Sequence, residues 1–230
     1  CEIRLLFPVH MRTFFQDDTW QSGLEEIRVR VGQPIEFCYG SDNCYLIGKE
    51  KEQMLCSEKD YRRWEKDLYH ASEADLREML NYISNYSLYA YKEEIKQGYI
   101  TIEGGHRVGV AGQTVLVDGK IAGISPITFL NIRIAHEKCG CAKKILPLIR
   151  QKNSIYNTLI LSMPGAGKTT LLRDSIRALS NGEAYGIRLK VCVVDERSEI
   201  AASFHGVPQN DMGPRTDVMD GCGKAEGMQL

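Results

Sequence analysis

The sequence predicts an α/β domain at residues 151–230, preceded by an α+β domain at residues 1–150. Two observations lead to this division. Apolar and polar residues alternate over much of the first 150 residues, whereas a strand, a glycine-rich turn and a helix follow one another after residue 156. A chain of 230 residues is long enough to give each domain a core of its own.

The composition is that of a globular protein with balanced charge. The chain has 29 basic and 30 acidic residues, which gives no general attraction to nucleic acid or to an anionic membrane. No apolar run approaches the roughly 18 residues of a membrane span, and the N-terminal segment lacks the apolar core of a signal peptide. We therefore expect a cytoplasmic protein.

The eight cysteines are spread over the chain without a C-x-x-C pair. A chain of this size does not need disulfides for its stability, so reduced thiols are expected. Cys139 and Cys141 have the spacing of half a metal site, but no second pair with zinc-finger spacing follows them. No metal site is expected from the cysteines.

The first domain opens with a predicted hairpin and a helix. Residues 24–40 alternate on both sides of Gly32 and Pro34, a pattern typical of two short strands joined by a turn. Ser72, with Asp75 three residues later, forms the sequence pattern of a capping box at the start of a helix. The apolar stripe that follows at helical spacing is interpreted as core: Leu76, Met79, Leu80 and Ile83.

From Gly98 onward the pattern has a period of two, which predicts further strands. Gly104–Gly105 and Asp118–Gly119 are turn signals, and residues 129–135 are predicted as an additional strand. Residues 141–154 combine basic residues, a proline and a polar end. We interpret them as a helix and a connector to the second domain.

The second domain begins with a phosphate-loop pattern. Residues 157–162, NTLILS, are predicted as a strand, and the run TTLLRDSIRALSNG is predicted as a helix that ends near Gly182. The apolar stripe of this helix is Leu171, Leu172, Ile176 and Leu179. A strand, a glycine-rich turn and a helix form the context that the P-loop signature G-x-x-x-x-G-K-[ST] requires. The predicted fold of this domain is therefore an α/β P-loop NTPase of the RecA/AAA type.

The residue types of the loop suit ATP bound with Mg²⁺. Small residues let backbone N–H groups turn toward phosphate oxygens, and the helix N-terminus adds a partial positive charge. Lys168 is expected to reach the β and γ phosphates, and the hydroxyl of Thr169 is the expected Mg²⁺ ligand. The residues predicted to bind the nucleotide in this loop are Pro164, Gly165, Ala166, Gly167, Lys168, Thr169 and Thr170.

Ser162 stands where the signature has its first glycine. That position lies at the exit of the strand, where the glycine serves a tight turn rather than a close approach to phosphate. Pro164 stiffens the same turn by fixing φ. The loop is therefore expected to bind nucleotide. An ordinary turn between a strand and a helix is the alternative, and it does not explain the lysine and the two threonines.

Carboxylates follow the next apolar strand, at residues 191–194. Asp195, Glu196 and Glu199 come at or just beyond its carboxyl end, where open α/β sheets bind ligands, and they are the candidate catalytic residues. Asp195 is not taken as the Walker B aspartate, because only one helix and one connector separate it from the phosphate loop. An exposed strand end with an ordinary salt bridge to Arg197 is the alternative.

The last segment, residues 206–230, is rich in glycine, proline and aspartate and is predicted as a long loop, which is often functional in a compact domain. Arg215 in this loop is either a contact to a phosphate of a neighbouring subunit or a solvated arginine. The chain starts with cysteine and stops at KAEGMQL without a closing helix, so we interpret it as a fragment.

Four runs of the sequence, kept in order, resemble one protein family: YAYKEEIKQGYITIEGGHRVGVAGQ, NIRIAHEKCGCA, LSMPGAGKTTLLRD and VVDERSEIAASFHGVPQNDMGPRTDVMDGCGKAEGM. That family is the stage III sporulation protein AA family of endospore-forming bacteria. The resemblance covers the chain from about Leu76 onward and is looser before it. Serine at position 162 is in keeping with the family.

The resemblance implies an ATPase related to those that drive type II and type IV secretion and pili. It implies a ring, a hexamer, in the mother-cell cytoplasm at the base of a channel of membrane proteins that faces the forespore. Asp195, Glu196 and Glu199 are similar to the Asp box of secretion ATPases. Arg107 and Arg133 lie in motifs similar to those through which the N-terminal domains of such ATPases approach the phosphates. The family's Walker B pair belongs to a strand beyond residue 230.

The leading hypothesis is an ATP-binding module of a secretion-type ATPase, with hydrolysis belonging to the complete protein. A scaffold is the alternative, in which nucleotide stabilises a ring or docks a membrane partner with little turnover. A nucleic-acid-dependent ATPase is the weakest hypothesis, because the net charge is balanced and few aromatic residues accompany basic runs such as RVRVG. Nucleic acid is thus an unexpected partner.

Overall fold

The computed structural model describes residues 3–15, 17–48, 54–96, 98–152, 154–183, 186 and 188–230. The chain folds as two compact units, Cys1–Ala135 and His136–Leu230, in a sheet-rich α/β architecture. The division lies before the boundary at residue 150 that the sequence suggested. The reason is that the turn of 3-10 helix at Cys141–Lys144 packs against the long helix of the second unit.

The first unit is built on a seven-stranded antiparallel sheet. Its strands are β1 (Glu26–Arg30), β2 (Glu36–Tyr39), β3 (Asp42–Leu46), β4 (Leu55–Ser57), β5 (Tyr99–Thr101), β6 (Arg107–Val117) and β7 (Lys120–Arg133). They lie in the order β4-β3-β2-β1-β7-β6-β5 across the sheet. Because β1 pairs with β7, the early hairpin and the late hairpin form one sheet.

Short helices flank this sheet. The α-helices are α1 (Val9–Arg12), α2 (Tyr61–Trp64), α3 (Glu73–Ile83) and α4 (Lys92–Lys96). The 3-10 helices span Ile3–Leu6, Thr19–Gln21, Glu58–Asp60, Glu65–Asp67 and Leu88–Tyr91. Helix α3 packs against β7, and α4 packs against β5 and β7.

The core of the first unit lies against one face of the sheet. Ile27 of β1 is fully buried and lies opposite Phe37 of β2 and Ile132 of β7, which are also fully buried. Phe15 extends this row with ring-centroid distances of 4.7 Å to both Phe7 and Trp20. Burying such aromatic side chains is the main stabilising contribution in a core of this size.

The structure confirms the predicted hairpin of β1 and β2 and the helix after Ser72. Ser72 accepts a hydrogen bond from the N–H of Asp75, whose carboxylate accepts from the N–H of Ser72, so both halves of the capping box are present. The predicted stripe of α3 is buried. One prediction was wrong in detail: residues 129–135 do not start a new strand, because β7 runs unbroken from Lys120 to Arg133 along β6.

The second unit contains fewer regular elements. They are α5 (Leu146–Ile149), β8 (Arg150–Gln151), β9 (Ser154–Ile155), α6 (Lys168–Asn181), β10 (Val191–Asp195), β11 (Thr216–Asp220) and α7 (Lys224–Gly227). Strands β10 and β11 are parallel, with Val191 opposite Thr216 and Asp195 opposite Asp220. Strands β8 and β9 form a separate antiparallel pair. Helix α6 ends at Gly182, whose φ of 79° suits a glycine, as predicted.

Two predictions for this unit were wrong. Residues 157–162 take part in no strand pairing within the part of the chain that the structure describes, and Leu159 and Leu161 are 79% and 81% exposed. Residues 206–230 are not a continuous loop, since they contain β11 and α7. The first segment has the apolar composition of a strand but does not pair, whereas β11 pairs with β10 although its segment was predicted as a loop. Strand pairing depends on neighbours that are remote in sequence, so the local pattern did not reveal it.

Two apolar clusters pack against α6. One joins Ala178 and Leu179 of the helix to Ala142 and Leu146 of the preceding segment. The other joins Ile176 to Val193 of β10 and to Ala201 and Met212 of the segment between β10 and β11. Opposite sides of one helix therefore anchor the connector and the acidic segment. Among the described residues, no helix combines the length and the apolar composition that crossing a bilayer requires.

Asp174 on α6 is a buried carboxylate that fastens the connector. Its Oδ2 accepts from the N–H of Ala142 at 2.7 Å, and its Oδ1 accepts from Nε and Nη2 of Arg177 at 3.0 and 2.8 Å. Burial opposes the charge on Asp174, but hydrogen bonds from the backbone of Ala142 and Gly140 and from Arg177 outweigh it, so the pKa of this carboxyl is lowered. The ionised form is the one that stabilises the fold.

We expect Ser72→Ala to destabilise the protein by about 1 kcal/mol, because the N-terminus of α3 loses its capping side chain. Urea denaturation followed by circular dichroism measures the effect. Ser87→Ala is the matched control, since Ser87 precedes a 3-10 helix without a side-chain capping bond. Equal midpoints for the two variants would contradict the assigned cap.

We expect Asp174→Asn to cost about 3 kcal/mol at neutral pH, because Arg177 would lose the more buried of its two carboxylate partners and the N–H of Ala142 would lose a charged acceptor. Since the pKa of Asp174 is lowered in the folded state, its contribution is complete above the unfolded-state pKa and is lost as the pH falls through the folded-state pKa. The difference in the free energy of unfolding between the parent protein and Asp174→Asn should therefore become smaller at acidic pH.

Urea unfolding at pH 7 and at progressively lower pH tests this expectation. Asp217→Asn serves as the control, because Asp217 is an exposed aspartate on β11. A gap between parent and Asp174→Asn that does not change with pH would show that the carboxylate charge is not the stabilising feature.

Candidate functional site

The glycine-rich turn before α6 requires glycine at two positions. Gly165 has a φ of 77°, and Gly167, which caps the N-terminus of α6, has a φ of 87°. In this left-handed region a residue with a Cβ atom is disfavoured by about 1–2 kcal/mol. The two glycines of the motif are therefore there for backbone reasons, as the sequence interpretation assumed.

The turn directs backbone donors toward the space in front of α6. The N–H of Leu171 bonds to the carbonyl of Gly167 at 2.9 Å and closes the first helical turn. The N–H groups that precede it have no acceptor inside the helix, and the helix dipole concentrates partial positive charge at the same end. This arrangement favours an anion such as phosphate.

Lys168 lies within the curve of the loop. Its Nζ donates to the carbonyls of Ser162 and Met163, each at 3.0 Å, and lies 3.4 Å from the hydroxyl of Ser162. The side chain is half-buried although its backbone belongs to an exposed loop and helix end. The loop therefore holds an ammonium group next to the helix N-terminus. An anion at this place is attracted both by the charge of the lysine and by the helix dipole.

Ser162 is compatible with this geometry. It is not among the residues with positive φ, so the position does not need glycine. Its carbonyl is one of the two that accept from Lys168, and any residue provides a carbonyl. The serine in place of the first glycine therefore removes nothing that the loop uses.

The other predicted loop residues occupy distinct places. Pro164 and Ala166 are exposed, and the N–H of Ala166 donates to the carbonyl of Met163 at 3.3 Å. Thr169 is half-buried and lines the cavity described next. Thr170, one residue along the helix, is near the connector, with its carbonyl 3.7 Å from Sγ of Cys141. Thr169 is thus the threonine placed to meet a ligand.

A cavity of roughly 260 Å³ opens in front of α6. It is lined by Ile160, Lys168, Thr169, Leu172, Val194, Asp195, Glu196, Arg197, Glu199, Ile200 and Lys224. The loop lysine and threonine therefore share one cavity with all three predicted acidic residues. The structure brings together two motifs that the sequence separates by more than twenty residues.

Asp195 plays a structural part in this cavity. It is 2% exposed, and its carboxylate accepts from the N–H groups of Glu199, Ile200 and Ala201 at 2.8 to 3.0 Å. These three bonds shape the segment that follows β10. An aspartate with both oxygens engaged by the backbone is suited to fixing that segment rather than to moving protons.

Glu196 and Glu199 differ from Asp195 because they are exposed. Oε2 of Glu196 forms an ion pair with Nζ of Lys224 at 3.2 Å. The backbone at Glu199 is held by Arg173 of α6, which donates to the carbonyls of Glu199 and Ile200 at 2.8 and 2.7 Å. Both glutamates line the cavity and are exposed.

The sequence interpretation missed one residue that lines the cavity, Lys224, and one that holds a lining segment in place, Arg173. Arg173 links the phosphate-loop helix to the acidic segment, and burial lowers the pKa of its guanidinium. Lys224 pairs with Glu196 from a segment predicted as loop. The alternation in TDVMD was a weak signal for β11 and hence for a residue just beyond a second strand end. Nothing in the local sequence pointed to Arg173, because its acceptors are backbone carbonyls.

Arg107 and Arg133 belong to the first unit, on β6 and β7, and lie opposite each other in the ladder. The guanidinium of Arg107 lies 5.3 Å from the centre of the Tyr99 ring. Arg215, in the second unit, donates from Nη1 to the carbonyl of Arg188 at 2.9 Å, so it has a local structural contact. Arg215 is not among the residues given above that line the cavity in front of α6, and Arg107 and Arg133 belong to the other unit.

The donor set fits a nucleotide with Mg²⁺. Backbone N–H groups and Lys168 suit phosphate oxygens, while the Thr169 hydroxyl and the glutamate carboxylates are oxygen ligands of the kind Mg²⁺ prefers. Within the described ranges, no three His, Cys, Asp or Glu side chains are grouped to hold a metal, Cys139 and Cys141 included. A Mg²⁺ ion here would therefore share its coordination with phosphate oxygens and water, as is usual for this ion.

Comparison with known proteins agrees with the motif order. The family model described as sporulation stage III, protein AA, matches residues 2–230. Stage III sporulation protein AA of Bacillus subtilis (strain 168) is 39% identical over 231 residues, which is 100% of this chain and 68% of that protein.

A solved structure is more distantly similar. The X-ray structure of the Legionella pneumophila ATPase DotB aligns over 93% of this chain with 18% identity and a TM-score of 0.44. The chain spans 51% of the DotB chain, about half of its length. The assignment therefore depends on the family match and on the bacterial relative: the chain belongs to the stage III sporulation protein AA family.

Proposed function

We propose that this chain binds ATP with Mg²⁺ and is the nucleotide-binding module of a secretion-type ATPase that acts in sporulation. The observation that carries the proposal is the shared cavity: Lys168 and Thr169 of the phosphate loop face it together with Glu196 and Glu199. The proposal includes a RecA/AAA-type fold for the second unit. The glycine-rich turn before α6 and the parallel pair of β10 and β11 support that fold.

Phosphate binding is assigned to the loop at residues 164–170. On binding, Lys168 would exchange its contacts with the carbonyls of Ser162 and Met163 for contacts with the β and γ phosphates, a change that its flexible four-carbon side chain permits. The N–H groups at the start of α6 bind the same phosphates. Thr169 would supply a hydroxyl ligand to Mg²⁺, whose charge would offset that of the phosphates when it is bound.

Hydrolysis is assigned to the exposed carboxylates. Glu196 and Glu199 lie at the cavity surface, where a carboxylate can orient water or a Mg²⁺ ligand toward the terminal phosphate. Asp195, the third candidate, acts indirectly, because its backbone hydrogen bonds define the segment that carries both glutamates. Arg107 and Arg133 are proposed to approach the phosphates from the first unit, on the strength of the family resemblance.

A nucleotide-dependent scaffold is the second candidate. It is favoured by the contacts of two of the candidate carboxylates: Asp195 is bound by backbone N–H groups, and Glu196 forms an ion pair with Lys224. In that case ATP stabilises an assembly and turnover is slow. The two candidates share the phosphate loop and differ in what the glutamates do.

The setting of this activity is proposed from family membership. The protein is placed in the mother-cell cytoplasm as a ring of identical subunits, a hexamer, under a channel of membrane proteins facing the forespore. Sedimentation velocity with and without Mg-ATP tests the ring. A protein that stays monomeric at all concentrations with ATP would exclude this assembly.

We expect Lys168→Ala to lower the affinity for Mg-ATP at least 100-fold, because the site loses the half-buried ammonium group of Lys168 while the triphosphate keeps its negative charge. Isothermal titration calorimetry measures the affinity. Lys190→Ala is the matched control, since Lys190 is an exposed lysine of the same unit that does not line the cavity. An unchanged affinity in Lys168→Ala would refute the proposed function.

We expect Glu196→Gln and Glu199→Gln to separate catalysis from binding. The substitution at the residue that acts on water or Mg²⁺ should lower the rate of ATP hydrolysis about 100-fold, with the ATP affinity within about threefold of the parent. Phosphate release and calorimetry measure the two quantities. If neither glutamine lowers a measurable parent rate, the motor assignment fails and the scaffold is favoured.

Asp195→Asn is the informative comparison for these two variants. An asparagine would place donor hydrogens against backbone N–H groups, so we expect the free energy of unfolding to fall by about 2 kcal/mol. Thermal unfolding shows this directly. A variant that is fully stable but inactive would instead assign Asp195 a direct part in hydrolysis.

A further inference from the structure

Helix α7 is fixed close to β10 by a glycine. Gly227 is buried, and a Cβ atom built on it would lie 2.6 Å from Cγ1 of Val194 and 2.8 Å from Sγ of Cys222. These distances are shorter than the van der Waals contact distances of carbon and sulfur atoms, so a residue with a Cβ atom does not fit here without a shift of its neighbours. The approach holds the start of α7, at Lys224, over the carboxyl end of β10.

This placement brings an ammonium group to the acidic side of the cavity. Nζ of Lys224 is 3.2 Å from Oε2 of Glu196, and both side chains line the cavity that contains Lys168 and Thr169. The side chain of Lys224 is 68% exposed and that of Glu196 is 44% exposed. An ion pair this exposed adds little to folding stability. Its main effect is instead on the position of the Glu196 carboxylate.

The contacts of the neighbouring carboxylate show why Glu196 needs such a partner. Asp195 is held by three backbone N–H groups and cannot turn. In the part of the chain that the structure describes, the contact shown for the carboxylate of Glu196 is the one with Lys224. A glutamate side chain with three rotatable bonds samples many rotamers unless a partner restricts it.

We propose that Lys224 is a positioning residue of the ATPase site: it holds the carboxylate of Glu196 at the cavity, directed toward the place of the terminal phosphate. The proposal rests on the function proposed above and names the residue that aims its carboxylate. Lys224 makes no contact with the reacting atoms in this arrangement. Its effect reaches the reaction through Glu196 alone.

The test uses Lys224→Met, which keeps the length of the side chain and removes the charge, in the protein as its natural gene encodes it. We expect kcat for ATP hydrolysis to fall about tenfold, because a catalytic group that is no longer oriented loses part of its effect. KM and the dissociation constant for Mg-ATP stay within about twofold, since the phosphate-binding groups are intact. Lys224→Arg, which keeps the positive charge, should retain most of the parental rate of ATP hydrolysis.

Lys190→Met is the matched control and should keep the parental kcat and KM. It removes one positive charge from an exposed segment of the same unit, outside the cavity. A loss of rate in this control equal to that in Lys224→Met would mean that general charge, and not the pair with Glu196, sets the rate. That result would overturn the proposal.

A double-mutant cycle with Glu196→Gln gives the decisive readout. If Lys224 acts through Glu196, the variant with both substitutions is no slower than Glu196→Gln alone. Additive losses would overturn the proposal, as would an unchanged kcat in Lys224→Met. A selective loss of affinity for ATP over ADP would also overturn it, because Lys224 would then be a phosphate ligand.

Failure of this inference can be distinguished from failure of the proposed function. If the parent binds Mg-ATP, Lys168→Ala abolishes binding and Lys224→Met behaves as the parent, the ATP site stands and the positioning role is refuted. If the parent binds no ATP, both proposals fail together. Retained binding with a kcat loss that disappears in the Glu196→Gln background is the outcome that supports both.

Discussion

Two neighbouring side chains on one helix, Arg173 and Asp174, hold the second unit in its functional arrangement. Asp174 accepts from the backbone of the connector, and Arg173 donates to backbone carbonyls of the acidic segment. Successive residues on an α-helix point about 100° apart, so these two side chains bind segments on different sides of the helix. Lys168 is the first residue of the same helix, so both sets of hydrogen bonds fix the element that positions the glycine-rich loop.

The polarity of these bonds explains why charged residues are used. A connector that offers N–H groups needs an acceptor, and a segment that offers carbonyls needs a donor. Asp174 and Arg173 satisfy these groups with charge-assisted hydrogen bonds, which are stronger than bonds between neutral partners. Arg177 in turn forms ion pairs with both Asp174 and Glu183, so one guanidinium lies between two carboxylates. The buried network is therefore satisfied at every step that the structure shows.

Burial separates the roles of carboxylates that are neighbours in sequence. Asp195 ends β10 inside the unit, where only full satisfaction by backbone N–H groups makes a carboxylate tolerable. Glu196, one residue further, has left the strand and lies at the cavity surface with an exposed cation beside it. One position of difference thus changes a residue that shapes the site into one that can meet a ligand.

Local patterns in the sequence determined the elements whose signals are short-range. The capping box at Ser72, the turn at Asp118–Gly119, and the phosphate loop with its helix all depend on backbone preferences within a few residues. The sequence also pointed to the acidic residues after β10, because a strand followed by carboxylates is a local pattern. Family membership was recognisable for the same reason, since it is carried by motifs in order.

Only the tertiary structure decided which residues share the cavity and in what state. The carboxylate of Asp195 accepts from backbone N–H groups of the following segment. The partner of Glu196 is a lysine more than twenty residues away, brought near by the contact of Gly227 with β10. The apolar run before the phosphate loop likewise had the composition of a strand but not the pairing. Hydrogen-bond partners, burial and pairing depend on segments remote in sequence, so a local pattern can point to candidate residues but does not determine how they are arranged.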